Sequence, residues 1–293
     1  MKILVIGATG YIGAAVSDAL LRAGHAVSGL ARSDSAARAL AARGIVAAAG
    51  DLGEPQLLGG LVTEFAAVVW AATPDAGGGA EARAVEACIE HLSGTGKGFL
   101  YTSGAWVHGD TGGAIVDERG ALSPPELVSY RVALERRVLE APGMRGVVIR
   151  PGIVYGHGAG IPSMFVASAR ERGTVRYIGS GDNHWPLVFI DDLADLYVKA
   201  VDRAPAGTAL LAVQGPPLTV KALASAASRG AGADGRTQAW PLAEARRELG
   251  SFADALVLDQ RFSARSAEQL LGWRPRGPAL DEELLRGSYA VAS

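Results

Sequence analysis

The chain has 293 residues, enough for one large α/β domain with a smaller lobe attached. Hydrophobic residues make up 49% and charged residues 20%, which excludes a disordered tail or a coiled coil. With 28 basic and 30 acidic residues the net charge is −2, so the chain lacks the basic footprint of a nucleic-acid-binding protein. Cys88 is the single cysteine, which excludes an intramolecular disulfide. No apolar run reaches the ~18 residues of a membrane span, so we expect a soluble, cytoplasmic protein that binds neither nucleic acid nor membrane.

The first half of the chain alternates short apolar runs with amphipathic stretches. The apolar runs predict strands at Ile3–Ile6, Ala26–Leu30, Ile45–Ala49, Ala66–Ala71, Gly98–Thr102 and Val147–Arg150. The amphipathic stretches predict helices at Ile12–Ala23, Ser35–Arg43, Ala80–Leu92 and Leu127–Ala141. Because the strands are apolar throughout and alternate with helices, they predict an α/β fold with a doubly wound parallel sheet, which is a Rossmann fold.

The composition of the sequence changes after Pro151, where glycine and proline become frequent. A helix is predicted at Ser163–Arg172, and a strand followed by a helix over Leu187–Val201. We therefore interpret residues 1–150 as a dinucleotide-binding core. Residues 151–293 are interpreted as mainly a smaller lobe that covers the substrate, with about 186–202 returning to the core.

A glycine-rich motif, Gly7-Ala8-Thr9-Gly10-Tyr11-Ile12-Gly13, lies between the first predicted strand and the first predicted helix. Gly7 permits a tight turn, Gly10 lets the backbone approach a pyrophosphate, and Gly13 lets helix and strand pack closely. The start of the helix offers free N–H groups and a partial positive charge to the anion. The motif predicts a dinucleotide site that also includes Thr9, Tyr11 and Ile12.

The end of the second strand indicates which dinucleotide binds. An NAD site places an acid there, but this chain reads Gly29-Leu30-Ala31-Arg32-Ser33. Arg32 with Ser33 suits the 2′-phosphate of NADP(H), since a guanidinium forms charge-assisted hydrogen bonds with phosphate. The alternative is that Arg32 is an ordinary solvated surface residue.

Several later segments add to these motifs. They are Gly50-Asp51-Leu52, Ala71-Ala72-Thr73, the run from Ile149 to Gly156, the run from Val188 to Ala194, and Leu271-Gly272-Trp273-Arg274-Pro275. With the glycine motif, they resemble the short-chain dehydrogenase/reductase superfamily in its extended or atypical branch of NAD-dependent epimerase/dehydratase-like proteins. The resemblance covers the whole chain. It implies further cofactor contacts from Asp51, Leu52, Ala71, Ala72, Thr73, Pro151, Gly152, Ile153 and Val154.

The catalytic residues that the resemblance implies are a tyrosine, a lysine one helical turn later, and a serine or threonine after the fifth strand. Tyr130 stands at the position of the tyrosine, which also contacts the cofactor, but the residue at i+4 is Leu134 and the lysine is absent. The catalytic hydroxyl aligns with Gly104, one position after Ser103. We predict Tyr130 and Ser103 as catalytic residues. Arg131 leaves the helix about 100° away from Tyr130, so it is only a weak candidate to replace the lysine charge.

Polar and aromatic residues after other strands are candidates for a substrate pocket, because ligands bind at the carboxyl ends of strands in such folds. These residues are Trp106, His108, Tyr155, His157, His184 and Trp185. No cluster has the spacing of a metal site.

A tyrosine without its lysine has a pKa of about 10, so at neutral pH it is an available acid and a poor base. This favours an NADPH-dependent reductase of a small, mostly apolar carbonyl or imine compound, with Tyr130 as proton donor. Two alternatives stay open, a redox-neutral epimerase, isomerase or cyclase and a non-catalytic NADP(H)-sensing protein. A homodimer through the helices at Ala80–Leu92 and Leu127–Ala141 is a further expectation, because such helices often pair in this superfamily.

Overall fold

The computed structural model describes residues 1–73 and 78–290. In the first half, seven strands lie at β1 (Lys2–Ile6), β2 (Ala26–Ala31), β3 (Val46–Ala49), β4 (Ala67–Trp70), β5 (Gly98–Thr102), β6 (Ile115–Val116) and β7 (Arg145–Pro151). The helices of this half are α1 (Tyr11–Arg22), α2 (Asp34–Ala41), α3 (Pro55–Val62), α4 (Gly79–Leu92) and α5 (Tyr130–Glu140). Short 3-10 turns at Ala105–His108 and Glu126–Val128 precede β6 and α5.

The second half mixes shorter strands with helices. Its strands are β8 (Ile153–Gly156), β9 (Ala159–Gly160), β10 (Val175–Ile178), β11 (His184–Phe189), β12 (Thr208–Ala212), β13 (Gln214–Thr219), β14 (Thr237–Trp240) and β15 (Arg261–Phe262). Its helices are α6 (Ser163–Arg172), α7 (Ile190–Arg203), α8 (Val220–Gly230), α9 (Leu242–Leu249), α10 (Phe252–Leu256), α11 (Arg265–Leu271) and α12 (Leu280–Arg286).

A seven-stranded sheet in the order β12-β7-β5-β4-β1-β2-β3 forms the centre of the molecule, and every pairing in it is parallel. Along β1, Ile3 and Val5 face α1, α2, α7 and α11, whereas Leu4 and Ile6 face α3, α4 and α5. Successive residues of a strand point to opposite faces, so an all-apolar strand is buried on both sides by two helix layers. The predicted doubly wound Rossmann fold is confirmed.

Two elements of the core were not predicted. Helix α3 contains Gly59 and Gly60, which weaken a helical pattern, yet it buries Leu58 and Val62 against α4. Strand β12 pairs with β7 and completes the sheet at that edge. Predicted α5 is shorter than expected because Leu127 lies in the 3-10 turn before it.

The smaller lobe is built around a third apolar cluster, which contains Phe165, Trp185 and Trp240. A four-stranded sheet in the order β13-β11-β8-β9 and the β10–β14 pair support this cluster. Two segments of the second half belong to the core instead, since α7 packs on α1 and β12 extends the large sheet. Within residues 1–73 and 78–290, no helix has the length and apolar character needed to cross a bilayer.

Trp273 anchors the end of the chain to the core. Its side chain is 1% exposed among residues of α7 and α11, and its indole Nε1 donates to the carbonyl of Asp192 at 2.8 Å. We expect Trp273→Ala to lower the free energy of unfolding by about 3–5 kcal/mol, because it leaves a large cavity. Urea unfolding measures this change. Leu270→Ala, at a side chain that is 53% exposed, is the control and should change stability by less than about 0.5 kcal/mol. Equal effects of the two substitutions would contradict the anchoring role.

Candidate cofactor and substrate site

The glycine motif forms a tight turn between β1 and α1. Gly7 has φ +89°, and a Cβ there would lie 2.6 Å from the carbonyl oxygen of Ala71. A Cβ on Gly13 would lie 2.1 Å from the carbonyl oxygen of Gly7, so both positions exclude a side chain. Gly10 caps α1 without a side-chain hydrogen bond, and the first turn carries no acid. The N–H groups of that turn therefore fit an anionic group such as a pyrophosphate.

The residues predicted for the adenosine end follow β2 and β3. Arg32 is exposed and makes no hydrogen bond or ion pair with any residue that the structure describes. Ser33 caps α2, since its Oγ accepts from the N–H of Ala36 at 3.2 Å. Asp51 is exposed and its Oδ1 accepts from the N–H of Gly53 at 2.7 Å, while Leu52 is half-buried. The Arg32 guanidinium is thus free to meet a phosphate.

A cavity of about 330 Å³ opens beside the glycine motif at the carboxyl ends of β4, β5 and β7. We call it the central cavity. Its lining residues are Tyr11, Ile12, Thr73, Ser103, Gly104, Ala105, Trp106, Arg131, Pro151, Gly152, Ile153, Val154, Gly160, Ile161 and Pro186. The cavity thus gathers predicted cofactor residues, predicted catalytic Ser103 and predicted pocket residue Trp106.

Three other predicted cofactor residues lie close by without lining the central cavity. Thr9 lines a separate cavity together with Gly10, Tyr11 and residues of α1. Ala71 supports the glycine turn, and Ala72 accepts a hydrogen bond through its carbonyl oxygen from Trp70 Nε1 at 3.0 Å.

Ser103 lines the central cavity and carries an unpaired hydroxyl. Its side chain is 3% exposed, and its Oγ has no hydrogen-bond partner among the described residues. The preceding Thr102 points the other way and bonds the hydroxyl of Tyr197 on α7. A buried hydroxyl without a partner costs about 1–3 kcal/mol, a cost that a ligand bonded to Oγ would remove.

Arg131 supplies the positive charge of the central cavity. Its Nη1 donates to the carbonyl oxygen of Ser103 at 2.8 Å, and its Nη2 donates to Oγ1 of Thr73 at 3.3 Å. Its Nε donates to the hydroxyl of Tyr130 at 3.2 Å, so the two side chains meet although they are adjacent in the helix. The helical-wheel angle gives only the direction in which the Arg131 side chain leaves the helix. The long side chain then bends back across the first turn of α5. This contact corrects the expectation that Arg131 lies away from Tyr130.

Tyr130 lies behind Arg131 and is not among the residues that line the central cavity. Its hydroxyl donates to Oε2 of Glu81 at 2.8 Å, and its ring packs against the backbone of Gly78. Burial raises the pKa of Tyr130 above its ordinary value, so the hydroxyl stays protonated. Its predicted role as proton donor remains a prediction.

Glu81 is the functional residue that sequence reasoning missed. Its carboxylate is fully buried and accepts hydrogen bonds from Tyr101 at 2.7 Å and from Tyr130. Arg131 Nη2 lies 4.0 Å from its Oε2. The residue lies near the start of α4, where an acid in an amphipathic helix is typically exposed, so the sequence offered no signal for its burial.

His108 lies outside the central cavity. Its ring is 3% exposed, Nδ1 donates to the carbonyl oxygen of Ala121 at 3.2 Å, and Nε2 accepts from Arg150 at 3.1 Å. Arg150 also forms a buried ion pair with Glu135 at 2.6 Å. Burial, together with the nearby Arg150 charge, lowers the pKa of His108 to about 4. These contacts give His108 a structural position rather than the predicted place in the pocket.

The other predicted pocket residues also lie away from the central cavity. The Tyr155 hydroxyl donates to the carbonyl oxygen of Pro278 at 2.6 Å, and Trp185 Nε1 donates to that of Leu256 at 3.0 Å. The remaining two are histidines paired with acids. His184 Nδ1 lies 2.7 Å from Asp259, and the exposed His157 lies 3.2 Å from Asp191.

Comparison with known proteins relates this geometry to a family. The chain matches the NAD dependent epimerase/dehydratase family over residues 3–211. It is 30% identical to an uncharacterized protein of Schizosaccharomyces pombe, with 99% of this chain and 100% of the relative covered. It is 29% identical to an NAD(P)H azoreductase of Xenophilus azovorans, covering 87% and 84%, and 28% identical to a 2-alkyl-3-oxoalkanoate reductase of Stenotrophomonas maltophilia, covering 98% of each.

Solved structures share the fold at lower identity. A dTDP-glucose 4,6-dehydratase of Streptomyces venezuelae with NAD bound superposes with a TM-score of 0.82 at 20% identity, covering 99% of this chain and 96% of that one. A human epimerase family protein with NADPH superposes with a TM-score of 0.76 at 21% identity, covering 98% and 99%.

The lowered pKa of His108 makes the stability of the fold depend on pH. The unfolded chain binds a proton at His108 near pH 6.5, whereas the folded chain does so only near pH 4. The contribution of this group is therefore complete above pH 6.5 and is lost as the pH falls toward 4, by up to about 3 kcal/mol. Urea unfolding of wild type and His108→Asn between pH 4 and 7 should show a steeper acid-side fall for wild type. Exposed His157→Asn is the control and should keep the wild-type slope. Parallel slopes for wild type and His108→Asn would contradict this assignment.

Proposed function

The chain belongs to the NAD dependent epimerase/dehydratase family, and we propose that it is an NADPH-dependent reductase of a small, mostly apolar carbonyl or imine compound. The observation that carries the proposal is that the central cavity is lined by Ser103, whose buried hydroxyl is unpaired, and by Arg131, whose guanidinium donates to the Ser103 carbonyl oxygen at 2.8 Å. The names of two relatives, an azoreductase and an oxoalkanoate reductase, support reduction as the reaction.

The residues present fit a dinucleotide. The glycine motif would hold the pyrophosphate, Arg32 the 2′-phosphate, and Pro151 to Val154 would lie beside the nicotinamide. When bound, NADPH would supply a hydride, which consists of one proton and two electrons, to the electrophilic carbon of the substrate.

Ser103 and Arg131 act on the oxygen or nitrogen bonded to that carbon. As the π bond breaks, its electron pair moves onto this atom, and the adjacent Arg131 charge stabilises the negative charge that develops. Arginine stays protonated in proteins, so Arg131 orients and stabilises but gives no proton. Ser103 Oγ–H donates to the same atom and transfers its proton as the alkoxide or amide anion forms, and water restores the hydroxyl.

This assignment moves the proton donor from Tyr130 to Ser103. The Tyr130 hydroxyl already donates to Glu81 and is separated from the central cavity by Arg131. In this arrangement Tyr130 and Glu81 position Arg131. A buried carboxylate restricts the position of a neighbouring guanidinium more than an exposed carboxylate does, because electrostatic attraction is stronger in the protein interior.

Substitutions at these two hydroxyls test the assignment. With a ketone found to be reduced, we expect Ser103→Ala to lower kcat about 100- to 1,000-fold, as for the loss of an oxyanion donor. Tyr130→Phe should lower kcat less than tenfold, because it removes a positioning contact only. Steady-state NADPH oxidation measures both variants, and the Kd for NADPH of each is the control for cofactor binding. A larger loss in Tyr130→Phe than in Ser103→Ala would return the proton-donor role to Tyr130.

The preference for NADPH is tested by titration of reduced-nicotinamide fluorescence. A guanidinium–phosphate contact contributes about 1.5–3 kcal/mol, so NADPH should bind at least tenfold more tightly than NADH. Arg32→Ala should remove that difference and leave the NADH affinity unchanged. Arg38→Ala, an exposed arginine of α2, is the matched control and should keep the preference. Equal affinities of the wild-type protein for NADPH and NADH would show that Arg32 does not bind the 2′-phosphate.

The family name supports a second candidate, a redox-neutral epimerase, isomerase or cyclase in which the nucleotide is restored in each turnover. This reading predicts cofactor retained through purification and product formation without net NADPH consumption. Absorbance of released cofactor and the NADPH balance of the reaction distinguish it from the reductase.

A further inference from the structure

A second cavity of about 280 Å³ lies in the smaller lobe between α6, β10, β14 and α9. We call it the lobe cavity. Its apolar wall includes Met164, Phe165, Ile178, Trp185, Trp240 and Leu256. Ile161 lines both this cavity and the central cavity, and the neighbours Trp185 and Pro186 line one each. The two cavities are therefore neighbours that share Ile161 as a lining residue.

Among the described residues of this wall, one fully buried polar atom lacks a partner. Trp240 is 8% exposed, and its indole Nε1 makes no hydrogen bond to any part of the chain that the structure describes. The other indole of the wall differs, since Trp185 Nε1 donates to the carbonyl oxygen of Leu256. A buried N–H without an acceptor is destabilising, and a ligand that carries an acceptor would relieve that cost.

The charges of the lobe cavity lie at its mouth and balance one another. Arg176 lies 3.8 Å from the centroid of the Trp240 ring and pairs with Glu248 at 3.1 Å. Glu171 and Arg172 are exposed at the same rim. Two acids thus accompany two arginines, an arrangement that disfavours a multiply charged anion such as a diphosphate. The interior suits a neutral group.

The size and lining of the lobe cavity indicate what that group is. An apolar cavity of about 150 Å³ holds benzene, so about 280 Å³ accommodates a substituted ring. Aromatic side chains form much of the wall, and ring–ring contacts add to the free energy gained by burying apolar area.

We propose that the lobe cavity binds an aromatic ring of the substrate, and that this ring carries one hydrogen-bond acceptor for Trp240 Nε1. The proposal rests on the proposed function, because the carbonyl or imine end of the same molecule lies at Ser103 and Arg131. The substrate class is then an aryl-substituted carbonyl or imine compound with an ether, hydroxyl or similar acceptor on the ring.

Four ketones of graded structure test this subsite by calorimetric titration, with and without saturating NADP⁺. They are butanone, benzylacetone, its p-ethyl derivative, and anisylacetone, in which a methoxy group replaces the ethyl group. We expect anisylacetone to bind at least tenfold more tightly than butanone and about fivefold more tightly than the p-ethyl compound. The affinity ratio of anisylacetone to butanone measures the contribution of the ring. The ratio of anisylacetone to the p-ethyl compound measures the contribution of the hydrogen-bond acceptor.

Two variants assign those ratios to the cavity. Met164→Trp fills the cavity from a side chain that is 40% exposed, and should abolish the advantage of the ring. Trp240→Phe removes the N–H and keeps an aromatic wall, so it should abolish only the advantage of the methoxy compound. Leu270→Trp on α11 is the matched control for Met164→Trp and should leave both ratios unchanged.

Equal Kd values for the four ketones, or a ring advantage that survives Met164→Trp, would overturn the proposal. NADPH oxidation with the same ketones separates this failure from that of the proposed function. Reduction of butanone and anisylacetone with equal kcat/KM would support the proposed reductase function and contradict the aromatic subsite. Ring-dependent binding without any NADPH oxidation would retain the subsite on an enzyme of another reaction class.

Discussion

The buried Glu81 carboxylate is the interaction on which the arrangement of the site depends. A charge removed from water is destabilising unless it is paired and hydrogen-bonded, and here the partners come from two elements. Tyr101 approaches from β5, whereas Tyr130 and Arg131 approach from α5. All of these partners contact one carboxylate on α4. The contacts therefore fix the distances between the start of α4, the start of α5 and the end of β5. The guanidinium that faces the central cavity is oriented by this requirement.

A second buried carboxylate holds the other side of α5. Glu135 pairs with Arg150 of β7 at 2.6 Å, and Arg150 in turn donates to His108 and to the carbonyl oxygen of Glu118. The apolar face of α5 is small, with Leu134 and Val138 buried. Hydrophobic burial alone therefore positions this helix weakly, and the two ion pairs determine where Arg131 enters the cavity. Breaking a buried pair leaves one charge uncompensated, so such contacts fix geometry more than they add stability.

The parts of the fold that the sequence predicted are those governed by local periodicity. Strand β5 and helix α6 have the predicted bounds, and the glycine motif lies where its spacing required, because Gly7 and Gly13 permit contacts that no side chain allows. Ser103 was predicted from its place beside the position of the family's catalytic hydroxyl, and it follows the last residue of β5 and lines the central cavity. The roles of Glu81 and Arg131 depend on contacts between α4, β5 and α5, which no local pattern encodes. The same holds for His108, which was predicted to lie in the substrate pocket but is buried beside Arg150, to which it is hydrogen-bonded.

The polar groups around the central cavity bear on the direction of the chemistry. A redox-neutral cycle begins when a substrate hydroxyl loses its proton, a step that requires a base near neutral pH. Among the described residues that line this cavity, the side chains with hydrogen-bonding groups are Tyr11, Thr73, Ser103, Trp106 and Arg131, and none of them is a base at that pH. The Tyr11 hydroxyl donates to the carbonyl oxygen of Gly156, and burial raises its pKa well above the ordinary value. Reduction ends instead with a strongly basic alkoxide or amide anion, which takes a proton even from a weak acid such as serine. A site with hydrogen-bond donors, a fixed positive charge and no lining base among those residues is therefore better matched to reduction than to a cycle that begins with oxidation.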